Sequence, residues 1–544
     1  MKKYILENKP LFAAYIVSVP LAAVCSSLTA LLTEPLIDVI YTHNQSDFIK
    51  FTVLEIIMVI LDLLTHYFHK VFRERLRVYY VAGLKRDIFK SLLNKSISKY
   101  HENTVPQYLS IVNRDVGKMN ECWFDAVCGI YRVIVNCIIN LLLIFYLNPW
   151  IALLNIITSI LSTVIPHLFE ERLTQKQEKA SAGSEKYYSL LSDYLNGFST
   201  IKIFNIRHKI YEKYEKANRE AEKNNCDSVL ANYSVSWISG AFSELSYAVT
   251  LALGVFLCLK GRLTVGMVIA LSQLIGGIVV PFEELPEYIS NVKSVKSISK
   301  KIMTLIRDDG GRPNDIKEEA ADGFGGKAIV VSNVSFGYSQ DKPCLRNVSL
   351  ELRKGEKCVL IGDSGSGKST LAKLIAGFYP CSEGTICVNG TEISKMQESQ
   401  LYKRITYIEQ NVFLLEDTLY NNITLYQEYP EEKIKEAVSM AGLSEFVLNL
   451  PQGLNTEVHA GGDNLSGGEK QRIGIARALL TGADFIVMDE VTANLDPVME
   501  KQVEEAIWEL KVPGILYITH NWEESILGRA DHVFRMQGGV LEKR

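Results

Sequence analysis

Apolar and polar positions divide this chain into two stretches of different character. As far as about Val280, apolar runs of around 20 residues recur, each long enough to cross the hydrocarbon core of a bilayer. From Lys327 onward the pattern becomes short strands, with apolar runs of up to four residues, set between glycine-rich turns and amphipathic segments of helical period. Six candidate spans follow: Leu11–Ile40, Phe51–Phe72, Phe124–Tyr146, Trp150–Phe169, Val235–Leu259 and Leu263–Val280. Lys2 and Lys3 precede the first, as in a signal peptide. That run is too long, though, and Ala22-Ala-Val-Cys25 lacks the small residue expected just before a lipobox cysteine, so the segment is expected to be retained.

Between the second and third spans, and again between the fourth and fifth, lie long stretches of helical pattern rich in Lys and Arg. The first includes Arg73, Arg75, Arg77, Lys85, Arg86, Lys90, Lys95 and Arg114, and the second runs from Glu170 to Lys223. Tyr41–Lys50 and Leu147–Pro149 are short and nearly uncharged. The positive-inside bias then puts both long stretches and both termini in the cytoplasm, with the protein in the cytoplasmic (inner) membrane. The helices are expected to continue well beyond the bilayer as two cytoplasmic hairpins. Tyr288–Ile306 reads as a helical continuation of the sixth span, and Asp308–Asp315 with Ala320–Gly326 as a Gly/Asp-rich linker. The expected domains are therefore a transmembrane domain at 1–306, a linker at 307–326 and a second domain at 327–544.

Composition adds little to this division. Hydrophobic residues make up 47% of 544, and the mean hydropathy of +0.07 averages two unlike halves. A net charge of −4 offers no footprint for nucleic acid. Ten cysteines without a CxxC pair argue for reduced, mostly buried thiols rather than a disulfide framework or a zinc site.

The chemistry lies in the second half. Gly362-Asp363-Ser364-Gly365-Ser366-Gly367-Lys368-Ser369-Thr370 follows the strand-like Cys358–Ile361 and precedes the helix-like Leu371–Ala376. A glycine-rich turn between strand and helix lets successive backbone N–H groups wrap a phosphate chain. Lys368 adds a charge for the β/γ-phosphates, and the Ser369 hydroxyl can ligate Mg²⁺. The bland alternative is a chance Gly/Ser loop, against which the flanking strand and helix weigh. Phe485–Met488 is a buried-strand pattern ending in Asp489-Glu490. Asp489 at that strand end can hold Mg²⁺ through water, and Glu490 can polarise an attacking water. Leu465-Ser-Gly-Gly-Glu-Lys-Gln-Arg472 opens a helix expected at Gln471–Leu480, and Ser466, Gly467 and Gly468 at its start form a second anion-binding nest.

With these motifs in this order behind six apolar spans, nearly the whole chain resembles an ABC half-transporter with an exporter-type membrane domain. The Leu465–Glu469 signature separates that family from other P-loop ATPases. The resemblance implies a multidomain fold: an all-α six-helix transmembrane domain with long cytoplasmic extensions, and an α/β P-loop ATPase domain with a helical subdomain. It implies ATP and Mg²⁺ as ligands and Glu490 as catalytic base. By position, Gln410 matches the Q-loop glutamine that contacts Mg²⁺ and water, and His520, after Tyr517-Ile-Thr519, matches the switch histidine that senses the γ-phosphate. Tyr338 matches the aromatic that stacks on adenine, and Asp496 fills the D-loop position. Standing alone, Gln410 reads as a surface residue and His520 as a strand-end cap. The family closes the signature of one subunit over the ATP held by another, so a dimer is implied, a homodimer being favoured over a heterodimer with a degenerate partner. Ile111–Val116 and Leu195–Phe204 resemble the two regions that couple ATPase and membrane domains. Two departures stand out: Val458-His-Ala-Gly-Gly-Asp463 lacks the usual glutamate, and Ala493-Asn494 replaces the usual Ser-Ala.

The expected function is ATP-driven export of an amphipathic small molecule, peptide or lipid across the cytoplasmic membrane by alternating access. An exporter-fold importer, for example of a metal chelate, and a non-transporting sensor ATPase are the alternatives. Asp62 and Glu244, inside the second and fifth spans, are costly there unless they face water or a partner, which suggests a neutral or cationic cargo. Arg132 in the third span is the candidate partner for either. No peptidase-like stretch precedes the first span, so leader cleavage is not expected of this chain.

Overall fold

The computed structural model describes residues 1–157, 170–307, 328–338, 343–492, 497–510, 514–520 and 527–544. Two compact units emerge, one of Met1–Leu93 and Thr104–Asp308, the other of Asn94–Asn103 and Asp309–Arg544. The expected linker lies almost entirely outside the described residues.

The described residues of the first unit are mainly helical. Its main helices are α1 (Lys9–Thr42), α2 (Gln45–Leu93), α3 (Asp125–Leu147), α4 (Glu170–Asn196), α5 (Arg207–Leu259), α6 (Val265–Ser294) and α7 (Lys296–Arg307). At about 1.5 Å per residue, the 49-residue α2 and the 53-residue α5 far exceed the roughly 30 Å of a bilayer core. The expected extension of the helices beyond the membrane is thus met. Among the described residues three continuous helical stretches are long and apolar enough to cross a membrane: Lys9–Thr42, Val105–Leu147 and Val265–Arg307. The expected spans Phe51–Phe72 and Val235–Leu259 lie within the longer, partly charged α2 and α5, and most of Trp150–Phe169 falls outside the described residues. The expected helical continuation over Tyr288–Ile306 is present, with a single turn residue, Val295, between α6 and α7.

Tyr80, Leu84, Ile88, Met119 and Phe124 form a fully buried inner core, with Tyr80 stacked between Trp123 and Phe124 at centroid distances of 5.4 and 5.3 Å. A second core joins α3 and α6 through Val133, Ile144, Leu271, Leu274 and Ile278. Ahead of α3 the helical path is interrupted by two π-helical turns, Ile111–Asp115 and Asn120–Phe124. Asp115 is buried in the first of them and ion-paired with Lys301 of α7 at 2.9 Å. Leu195, Phe198, Ile203 and Phe204, around the connection between α4 and α5, are instead exposed apolar side chains.

The intramembrane charges differ from expectation. Asp62 is not bare: Ser26 Oγ donates to its Oδ1 at 2.5 Å, and His66, one turn along α2, stands 3.2 Å away. Arg132 pairs with neither Asp62 nor Glu244. Its guanidinium donates to Glu284 at 2.5 Å and to the Tyr288 hydroxyl at 3.1 Å, both on α6. Helical packing of α3 on α6 puts Glu284 within reach, a proximity that no sequence spacing across about 150 residues reveals. Glu244 is exposed on α5.

The second unit is built on sheets. An antiparallel sheet contains β1 (Ala328–Phe336), β2 (Leu345–Arg353), β4 (Glu383–Val388) and β5 (Thr391–Glu392), in the order β2-β1-β4-β5. A six-stranded sheet contains β3 (Lys357–Gly362), β6 (Ile405–Ile408), β7 (Phe485–Asp489), β8 (Gly514–Thr519), β9 (His532–Gln537) and β10 (Val540–Lys543), in the order β10-β9-β3-β8-β7-β6. All neighbours are parallel except the β9–β10 pair at the edge. Strands β3, β7 and β8 are buried along almost their whole length, because both faces are covered. The helix α8 (Lys368–Ile375) packs in the core between the two sheets, and α9 (Glu431–Met440), α10 (Gly467–Thr481) and α11 (Pro497–Glu509) belong to the other core. The ends of β3, β7 and β8 lie side by side, so the residues that follow each strand are brought together.

Candidate nucleotide-hydrolysing site

Three strand ends and one turn build the site. The turn after β3 runs Gly362–Gly367 into α8, which starts at Lys368 rather than at Leu371. Gly367 caps that helix at φ 109°, and a Cβ there would stand 2.7 Å from Leu345 Cδ2, so the tight entry needs glycine. Lys368 is buried, and its ammonium donates to the carbonyls of Gly362 and Asp363 at 2.8 and 3.1 Å. Burial lowers its pKa, an effect opposed by the carboxylates around it. Helix α8 presents its free N–H groups and positive dipole end to the same turn.

Glu490 follows β7 in the left-handed region, at φ 52°, an arrangement costly for a residue with a Cβ. Its N–H donates to Ile518 O of β8, which ties the residue down. Its carboxylate gathers the other groups: His520 Nε2 is 2.6 Å away, Lys368 Nζ 3.7 Å, and Gln410 Nε2 donates at 3.4 Å. The structure thus brings Lys368, Gln410, Glu490 and His520 onto one point.

Asp489 is buried, and burial raises its pKa, with hydrogen bonds from Tyr407 and Ser369 opposing. Ser369 Oγ donates to Oδ1 at 2.9 Å, and the Tyr407 hydroxyl donates to Oδ2 at 2.8 Å. Burial, reinforced by the Asp489 charge, pushes the Tyr407 phenol upward, so it stays protonated and remains a donor. The adjacent oxygens of Ser369 and Asp489 suit a hard cation such as Mg²⁺. Among the described residues no three His, Cys, Asp or Glu side chains form a metal cage. A metal that keeps its waters and leans on phosphate oxygens needs none.

Tyr338, past the end of β1, is exposed and stands edge-on to Phe336 and Tyr379 at 5.1 and 5.4 Å, leaving ring surface for a base. Ser466 is the N-cap of α10, which begins at Gly467 rather than at Gln471. Its hydroxyl accepts from Glu469 N–H, and Glu469 Oε2 accepts from Ser466 N–H at 2.7 Å, a reciprocal cap that sets the helix start. Among the described residues no hydrogen bond or ion pair joins Ser466–Gly468 to Lys368, Glu490 or His520. Asp496, with Ala493-Asn494, lies outside them. In Val458–Asp463, where the usual glutamate is missing, the chain turns through Ala460–Gly462, and Lys470 donates to Gly461 O at 2.9 Å.

Two participants escaped the sequence reading. Gln471 donates through Nε2 to Gln410 O at 2.5 Å, tying the signature helix to the Q-loop segment. Tyr407 reaches Asp489 from a neighbouring strand. The available signal was slight: a tyrosine in a buried strand needs a partner for its hydroxyl.

Comparison with known proteins agrees with this architecture. Residues 12–282 match the family model of the ABC transporter transmembrane region, and residues 345–493 the family model described as ABC transporter. The chain is 27% identical to the ATP-dependent lipid A-core flippase of Syntrophus aciditrophicus over 98% of its own length and 89% of the relative's. It is 31% identical to the lactococcin-G-processing and transport ATP-binding protein LagD of Lactococcus lactis, over 68% of this chain and 52% of that one. A putative multidrug export ATP-binding/permease protein of Staphylococcus aureus is 27% identical over 84% of this chain and 79% of its own. The solved structure of a bacterial Atm1-family ABC exporter with ATP bound superposes with a TM-score of 0.82, at 21% identity, over 99% of this chain and 95% of that one. The membrane helices, the P-loop sheet and these matches together make the chain a member of the ABC transporter family, an exporter-type half-transporter embedded in a membrane whose ATP hydrolysis is coupled to transport.

Proposed function

We propose that the chain binds Mg·ATP at the Gly362–Thr370 turn and hydrolyses it with Glu490 as base, to drive export of an amphipathic cargo. The observation that carries this reading is the convergence of Lys368, Gln410 and His520 on the Glu490 carboxylate, beside Ser369 and Asp489. The backbone N–H groups of the turn and Lys368 hold the phosphates, releasing the ammonium from the Gly362 and Asp363 carbonyls. Glu490 accepts the proton of a water as its oxygen bonds to the γ-phosphorus and the β–γ bridging bond breaks, giving ADP and phosphate. Gln410 orients that water, and His520 donates to the γ-phosphate oxygens. Ser369, Asp489 and Gln410 hold Mg²⁺, which when bound neutralises charge on the phosphate oxygens. Tyr338 stacks on adenine.

The two phosphate cradles of one chain, at Gly362–Thr370 and Ser466–Gly468, support a dimer in which each signature, with Asp496, serves the other subunit's nucleotide. Exposed Leu195, Phe198, Ile203 and Phe204 suit a coupling contact. An amphipathic cargo is supported by the range of the relatives' names, which mention lipid A-core, lactococcin-G and multidrug export. The charge preference expected from a bare Asp62 drops out, because Ser26 and His66 already engage it. The test is Glu490→Gln in the reconstituted protein. ATP binding should persist while hydrolysis falls by roughly 10²–10⁴. Near-normal turnover refutes the assignment.

A further inference from the structure

Asp489 has two carboxylate oxygens, and each is already committed. Oδ1 accepts from Ser369 on α8, and Oδ2 accepts from Tyr407 on β6. The two strands that carry Asp489 and Tyr407 are parallel neighbours, with Tyr407 opposite Val487 and Ile408 opposite Met488. The register thus sets the phenol alongside the end of β7, where Asp489 stands. The Tyr407 ring is itself held: Phe378, just past α8, packs edge-on to it at 5.1 Å, and the ring borders the core between the two sheets.

We infer that Tyr407 is a positioning residue for the metal site, orienting Asp489 so that Oδ1 fixes the proton of Ser369. A carboxylate turns freely about its last torsion unless something holds it. With Oδ2 held by a phenol whose ring packs against Phe378 and the core, Oδ1 is the oxygen that meets Ser369. The Ser369 proton then points at Asp489, and the hydroxyl lone pairs are left for a cation. Without the Tyr407 hydroxyl, a buried carboxylate oxygen loses its partner, and Asp489 is free to rotate away from Ser369. Gln410 follows Tyr407 by three residues, so the same strand sets both the Asp489 oxygen and the start of the Q-loop segment. The role rests on the reading that Asp489 and Ser369 serve a divalent cation.

The experiment measures binding of a fluorescent non-hydrolysable ATP analogue to the full-length protein in lipid nanodiscs, in EDTA and across a Mg²⁺ titration. Tyr407→Phe keeps the ring and removes only the hydroxyl. It should leave the affinity in EDTA within about twofold of the parent, and raise the Mg²⁺ concentration for half-maximal tightening by about tenfold, the scale expected when a partner of a metal ligand is lost. In steady-state hydrolysis its deficit should shrink as Mg²⁺ is raised. Asp489→Asn is the reference. If Asp489→Asn keeps the full Mg²⁺ enhancement, the metal assignment fails, and the Tyr407 role with it. If Asp489→Asn loses the enhancement while Tyr407→Phe keeps the parental Mg²⁺ midpoint, only the Tyr407 role is overturned. Equal weakening of Tyr407→Phe with and without Mg²⁺ also overturns it, since that marks a general packing defect.

Discussion

Glu490 concentrates the problem of this protein at the scale of one residue. It is the meeting point of a lysine, a histidine and a glutamine, and it sits in a backbone conformation that disfavours any side chain with a Cβ. Strain of this kind persists only where neighbours over-determine it, and here the bond from Glu490 N–H to β8 does so. Two substitutions isolate the backbone contribution. Glu490→Ala and Glu490→Gly both remove the carboxylate, but only Gly takes up φ 52° without cost. Glu490→Gly should therefore be the more stable of the two by about 1 kcal/mol, visible as a higher unfolding midpoint of the ATPase unit in scanning fluorimetry. Equal midpoints, or a more stable Ala variant, contradict a strained Glu490. The motif around Glu490 was legible as an acidic strand end. Its backbone conformation was not, because αL geometry at a glutamate has no signature in residue order.

Elements meet closely at the start of α6. Gly266 donates its N–H to Asp38 Oδ1 at 2.9 Å, and a Cβ at Gly266 would lie 2.3 Å from the Glu34 carbonyl of α1. Backbone cannot yield as a flexible side chain can, so Gly266→Ala must push α1 and α6 apart. Gly276, on the same helix, has nothing within 4 Å of its would-be Cβ. The pair makes a controlled test. Gly266→Ala should cost about 1–3 kcal/mol and lower the yield of folded protein in detergent, whereas Gly276→Ala should be neutral or slightly stabilising. Similar behaviour of the two variants refutes the close approach of α1 and α6. Helix lengths were readable from apolar runs and charge patterning, yet this approach was not, since 228 residues separate the partners.

For the whole molecule, the question is how the two proposed phosphate cradles of one chain would serve their nucleotides. Ser466 caps α10, and among the described residues its loop makes no hydrogen bond or ion pair to Lys368 or Glu490. A composite site between two copies predicts complementation. Chains carrying Lys368→Ala and chains carrying Ser466→Arg should each be inactive alone. Mixed dimers should regain one intact site, so ATPase activity should return to a substantial fraction of the parent's when both are co-expressed and purified through two different tags. Well-formed mixed dimers without recovered activity sink the model.

Order along the chain was enough to establish the kind of protein. Apolar runs near 20 residues can be satisfied only in a bilayer, and Gly362–Thr370, Leu465–Glu469 and Asp489-Glu490 each act through local backbone geometry, which short sequence spacing specifies. Tertiary structure alone decided which side chains answer one another across strands and helices. It seated Tyr407 on Asp489, Gln471 on the Gln410 carbonyl, Arg132 on Glu284 rather than on Asp62 or Glu244, and Ser26 on Asp62. These contacts arise from strand register and helix packing, which bring together residues far apart in the chain. They satisfy buried and half-buried polar groups whose need for a partner the sequence announces, while leaving that partner unnamed.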